Sequence, residues 1–129
     1  MRGLIPIALI ALGSALGGVA RYWMSGFVAT RIGETFPWGT LVVNVVGSAL
    51  IGACAALVDA ARVGLPAEVR LFIMVGVLGG FTTFSSFSLQ TLRLVQDGDW
   101  LRAGGNILLS VVVCLIAVAL GYRLARLAG

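Results

Sequence analysis

Gly79-Gly80-Phe81-Thr82-Thr83-Phe84-Ser85-Ser86-Phe87 lies inside an uncharged run, Leu71 to Leu92, that is long enough to cross a bilayer. Adjacent glycines weaken a helix, by about 1 kcal/mol each relative to Ala in a helix interior. Hydroxyls and aromatic rings then alternate. A break in a membrane helix persists only where protein or a water-filled cavity satisfies the freed backbone groups. The segment therefore predicts a membrane helix broken at mid-membrane, with loosened backbone and hydroxyls at that depth. Polar groups so placed usually mark a binding or conduction path.

The rest of the chain supplies the membrane. Of 129 residues, 60% are hydrophobic and only 11% are charged, and mean hydropathy is +1.07. A soluble domain is about a quarter charged. Uncharged runs span Gly3 to Ala20, Thr35 to Val58, Leu71 to Leu92 and Ala103 to Tyr122. Each suffices for a spanning helix, the first with its flanks. The expectation is an all-α membrane protein with four transmembrane helices, at about 3–24, 37–59, 68–95 and 100–124, forming one domain over residues 1–129. Four spans put both termini on one side. A signal-peptide reading of the first run, Met1-Arg2 followed by apolar residues and Gly13-Ser14-Ala15, is disfavoured by its length and by Arg21, which ends it as a membrane flank does. Strand-built barrels need period-two alternation, which is absent.

Cys54 and Cys114 fall inside expected spans, where thiols act as small apolar groups, and the chain has no histidine. Metal clusters built on Cys and His are thereby excluded. Every basic residue is an arginine, and these are scattered at helix ends. They suit membrane flanks, so the lipid bilayer is an expected partner and nucleic acid is not.

Orientation is balanced. Arg2, Arg62, Arg70, Arg123 and Arg126 fall on one side, and Arg21, Arg31, Arg93 and Arg102 on the other. Topology follows the Lys/Arg excess in short loops. This split leaves two readings open: weak signals corrected by neighbouring subunits, or monomers that insert both ways and pair antiparallel.

Each span carries a small or polar stripe. Gly13 with Gly17, and Ser14 with Gly18, are small-xxx-small pairs that let helix backbones approach closely. Arg21 continues that stripe, placed to snorkel to the interface or to attract an anion at a pore mouth. Thr40, Asn44 and Ser48 recur every four residues on the second helix. Asn44 is either interhelical glue or a donor to an anion, and spacing does not separate the two. Phe84 and Phe87 share a face. Their rings have a positive edge, which favours a small anion without offering a hydrogen bond. Gln90 lies one turn beyond Ser86. Asn106, Ser110 and Cys114 form a stripe on the fourth helix.

No Asp, Glu, Lys or His lies deep in a span. Proton relays need such groups, and enzyme chemistry needs a nucleophile with a base or a metal. An enzyme is not expected. Neutral donors remain: Asn44, Asn106 and the hydroxyls of Thr40, Thr82, Thr83, Ser85, Ser86, Ser88 and Ser110. They suit an anion that must enter and leave. Loosened carbonyls over 79–83 suit a hard cation such as Na⁺ instead.

Over its whole length the chain resembles the Fluc fluoride channels, also called CrcB proteins. The resemblance is carried by Gly17-Gly18-Val19-Ala20-Arg21-Tyr22, by Gly39-Thr40-Leu41-Val42-Val43-Asn44-Val45-Val46-Gly47, and by Gly79 to Ser88. It implies passive export of fluoride that lowers its cytoplasmic toxicity, and an antiparallel dual-topology homodimer with two fluoride pores in a bacterial inner (cytoplasmic) membrane. It implies a central structural Na⁺ held by backbone carbonyls matching Gly79 and Thr82 of both subunits. Asn44, Phe84 and Phe87 match pore residues, with Thr83, Ser85 and Ser86 in the same polar segment. Ser110 matches the fourth-helix polar track, and Arg21 the vestibule arginine. Thr40, Gln90 and Asn106 are expected at the vestibule or in structural roles. Three positions depart from the family pattern: Gln90 where a glutamate is usual, Asn106 where a tyrosine is common, and Cys114 where a serine often stands.

Two rival readings share some of these features. Small multidrug transporters share the size and the four helices but carry a glutamate in the first span, which Gly3 to Ala20 lacks. A non-transporting helical assembly subunit would explain the glycines but not the placed donors.

Overall fold

The structure, a computed structural model, describes residues 3–60 and 64–129. Arg2 and Arg62, two arginines of the charge balance, lie outside these. Every regular element among the described residues is helical. α1 covers Leu4–Ile32 and α2 covers Trp38–Asp59. α3 is made of Ala67–Arg70, a wide π-helical stretch Leu71–Leu78, and the turn Gly79–Phe81. α4 covers Phe84–Gln96 and α5 covers Trp100–Ala128. Among the described residues, α1, α2, the pair α3 and α4 over Ala67–Gln96, and α5 are the four stretches long and apolar enough to cross a membrane.

α1 runs past the expected end near residue 24 because nothing breaks it before Gly33, whose φ of 103° suits glycine. Gly98, with φ 76°, turns the chain from α4 into α5, where Asp99 accepts from the Arg102 N–H at 3.2 Å and caps the new helix.

Packing is made by small residues. A Cβ on Gly13 would lie 2.6 Å from the Phe72 carbonyl oxygen, and one on Gly17 would run into the Val77 carbonyl oxygen. α1 and α3 therefore touch backbone to backbone, as the small-xxx-small pair Gly13 and Gly17 predicts. Gly18 faces open space, and its expected partner Ser14 meets Gly80 of α3 instead. A second seam joins α2 to α5, with Gly52 against Val118 and Gly121 against Ala49. Large apolar side chains point outward, as Leu101 and Leu127 do at more than four-fifths exposed. This is the arrangement of a bundle held by close contact in lipid, where no hydrophobic force drives helices together.

The break differs in detail from the sequence reading. Gly79 and Gly80 stay helical, and Gly80 is needed for contact, since a Cβ there would sit 2.7 Å from the Ser14 carbonyl oxygen. The backbone opens at Thr82 (φ −81°, ψ 155°) and Thr83 (φ −151°, ψ 114°). Both are β-branched residues suited to extended backbone. Thr82 closes α3, its N–H and Oγ1 both donating to the Leu78 carbonyl, at 3.1 and 3.0 Å. Thr83 opens α4 as its N-cap, Oγ1 accepting from the Ser86 N–H at 3.1 Å.

Candidate functional site

The opened backbone is clamped by one side chain. Asn44 of α2 donates from Nδ2 to the Thr83 carbonyl at 3.1 Å, and its Oδ1 accepts the Thr83 N–H at 2.8 Å. A primary amide is the smallest side chain that can pair with both polar groups of one residue, as a neighbouring strand would. Asn44 is thus the interhelical tie that sequence left as one of two roles. One Nδ2 hydrogen remains for another partner. The clamp also frees a carbonyl: in an unbroken helix the Thr83 N–H would go to Gly79, and here it goes to Asn44.

On one side of this clamp lies a groove of about 420 Å³. It gathers Asn44, Gly79, Thr82, Thr83, Phe84, Phe87, Ser110 and Cys114, residues drawn from every element except α1. The Phe84 and Phe87 rings stand 5.3 Å apart and are tilted by 47°. Phe84 is 78% exposed on the chain. The groove therefore offers ring edges, an amide hydrogen and hydroxyls, with no formal charge among its lining residues.

On the other side opens a cavity of about 650 Å³. Arg21, Thr40, Ser86 and Gln90 line it with Arg93, and Thr83 belongs to both spaces. The Arg21 Nε and the Gln90 Oε1 are buried without a hydrogen-bond partner among the described residues. Thr40 faces this cavity while Asn44 and Ser48 face the groove, so the α2 stripe runs through both. Glu34 and Asp97 share the lining, which moderates the positive field of the two arginines.

Two of the expected residues stand apart. Ser85 is exposed, and its hydroxyl meets Thr83 Oγ1 at 3.3 Å. Asn106 lines neither space and is 2% exposed. It donates to Thr91 Oγ1 at 2.9 Å and accepts from Ser110 Oγ at 3.3 Å. Sequence reasoning passed over Thr91 and did not single out Arg93. The signal for Arg93 is present in the spacing, since Thr83, Ser86, Gln90 and Arg93 recur every three or four residues on one face.

No cluster of His, Cys, Asp or Glu able to hold a metal exists among the described residues. A cation site here would have to use backbone oxygens, and the Gly79 carbonyl, deprived of its helical donor, is of that kind. Chemically the site can pass or hold a small anion through neutral donors. The groove's lining residues include no carboxylate, lysine or histidine.

The family model for CrcB-like protein, Camphor Resistance (CrcB), matches residues 8–122. A protein of Paramagnetospirillum magneticum named fluoride-specific ion channel FluC is 58% identical over 96% of this chain and 98% of its own length. One of the same name from Opitutus terrae is 64% identical over 88% of this chain and 86% of its own. Fluoride-specific ion channel FluC 2 of Rhodopseudomonas palustris is 54% identical over 98% of both.

Proposed function

The chain belongs to the CrcB-like protein family, and on that premise we propose that it is a fluoride channel whose conducting path follows the two spaces that meet at Thr83. It is a multi-pass membrane protein and not an enzyme. The observation that carries the path is the Asn44 clamp, which sets an amide hydrogen, the opened backbone and the Phe84 and Phe87 edges around one groove. Fluoride is small and strongly hydrated, so its water must be replaced by many donors held in place. Arg21 and Arg93 draw the anion into the wider cavity. Thr83 and Ser86 hand it on, and Asn44 with the ring edges passes it along the groove. Neutral donors let it leave again. Transport is passive, and it lowers fluoride inside the cell.

The finer reading is an antiparallel homodimer of dual topology in a bacterial inner membrane. The balanced arginines support it, as does the exposure of Phe84 and Gly79 on the single chain. Gly79 and Thr82 carbonyls of both copies would hold a structural Na⁺, which would supply fixed positive charge at the dimer centre; the displaced Gly79 bond supports that fit. A terminal tag should label about equally from both membrane faces. Labelling from one face alone would end the dual-topology reading.

Flux decides the function itself. Proteoliposomes with an ionophore to dissipate the potential should lose fluoride quickly and chloride negligibly. Fluoride efflux no faster than from empty vesicles would overturn the channel reading.

A further inference from the structure

α4 carries Phe84 and Phe87, yet none of its residues is buried in the chain. Its inner face, Ser86, Phe87, Gln90, Thr91 and Leu94, is only half-buried, so packing holds its roll about its axis less firmly than a buried face would. Its N-terminus is held through Thr83 by Asn44. Among the described residues a second interhelical hydrogen bond runs from Asn106 of α5 to Thr91, two turns further along. The polarity of that bond is determined. Thr91 commits its single proton to the Phe87 carbonyl at 2.8 Å, so Oγ1 is left as an acceptor. The buried Asn106 amide must then turn Nδ2 toward Thr91 and Oδ1 toward Ser110, whose Oγ donates to it at 3.3 Å. Phe87 and Ser110 both line the groove, while Asn106 and Thr91 do not.

We propose that Asn106 and Thr91 are positioning residues, a second pin that sets the roll of α4 and so the placement of the Phe87 ring edge opposite Ser110. Two pins define an orientation where one leaves a swivel. Asn106 acts through Thr91 on α4 and directly on Ser110, so a single buried amide registers both walls of the groove. The inference rests on the channel reading.

The test is fluoride efflux from proteoliposomes of wild type, Thr91→Val, Thr91→Ser, Asn106→Leu and the double variant Thr91→Val/Asn106→Leu. Each protein is first checked for a wild-type elution profile in detergent. Thr91→Val keeps the side-chain shape and removes the acceptor, and flux should fall about fivefold, the order set by one interhelical hydrogen bond. Thr91→Ser keeps the acceptor and should conduct within about twofold of wild type. Asn106→Leu, which also loses the Ser110 bond, should fall at least as far as Thr91→Val, and the double variant should be no worse than Asn106→Leu alone. If the role were packing alone, Thr91→Ser, which loses a methyl, would be worse than Thr91→Val, and that order would overturn the proposal. Wild-type flux with Thr91→Val unimpaired would overturn it and leave the channel reading standing. Absent wild-type flux would remove the channel reading and this inference with it.

Discussion

The two halves of the third membrane segment are built on opposite principles. α3 is pressed against α1 until backbones touch, with Gly13, Gly17 and Gly80 at the contacts. α4 has no fully buried residue and is tied by hydrogen bonds at Thr83 and Thr91. The dividing point is the pair of extended threonines between them. One half supplies a fixed wall, and the other presents Phe84 and Phe87 to the groove. Changes in α3 and its seam should therefore damage the fold, and changes in α4 should damage conduction while leaving the fold.

The strongest challenge to this division is Gly17→Val. Its side chain would meet the Val77 backbone, which cannot move aside as a flexible side chain could. A loss on the order of 3 kcal/mol is expected, read as a lower unfolding temperature and little monodisperse protein. Unfolding indistinguishable from wild type would mean the seam is looser than its geometry implies.

In α4, Phe84→Ile keeps apolar bulk and removes the ring edge. Fluoride efflux should fall by about tenfold, since ring electrostatics are worth about 1.5 kcal/mol at most. The elution profile should stay that of wild type. Unchanged efflux would reduce Phe84 to packing. The Thr91→Val effect described above should be smaller again. Ser88→Ala should be nearly silent, within about twofold in efflux, because the Ser88 hydroxyl is exposed and turns back onto the Phe84 carbonyl at 2.9 Å. A large effect there would extend the path beyond the groove described.

Much of this division is legible in the sequence, and the rest fails for physical reasons. Four apolar runs give four stretches long enough to span a membrane, because length and hydropathy decide that outcome. The stripe Thr40, Asn44 and Ser48 does fall on one face that lines the cavity and the groove, because helical periodicity is rigid. The position of the break does not follow from glycine propensity. Gly80 is chosen for contact with Ser14, a tertiary demand that overrides its local preference for disorder. The π-helical stretch Leu71–Leu78 carries no local signature and was not expected. Asn44 left two roles open because only a tertiary contact reveals that its amide matches the Thr83 backbone. Thr91 is one hydroxyl among many in sequence and acquires meaning only when α5 brings Asn106 beside it.

The central claim is that the clamp holds a path open without holding the bundle together. Asn44→Ala tests it most directly, measured as fluoride efflux from proteoliposomes alongside wild type, with chloride efflux and detergent elution recorded on the same preparations. The variant removes the partner of both polar groups of Thr83, but these border open spaces where water takes the amide's place, so the fold loses little. The account predicts a protein that elutes as wild type does and conducts fluoride about a hundredfold more slowly. Wild-type efflux from Asn44→Ala would contradict it.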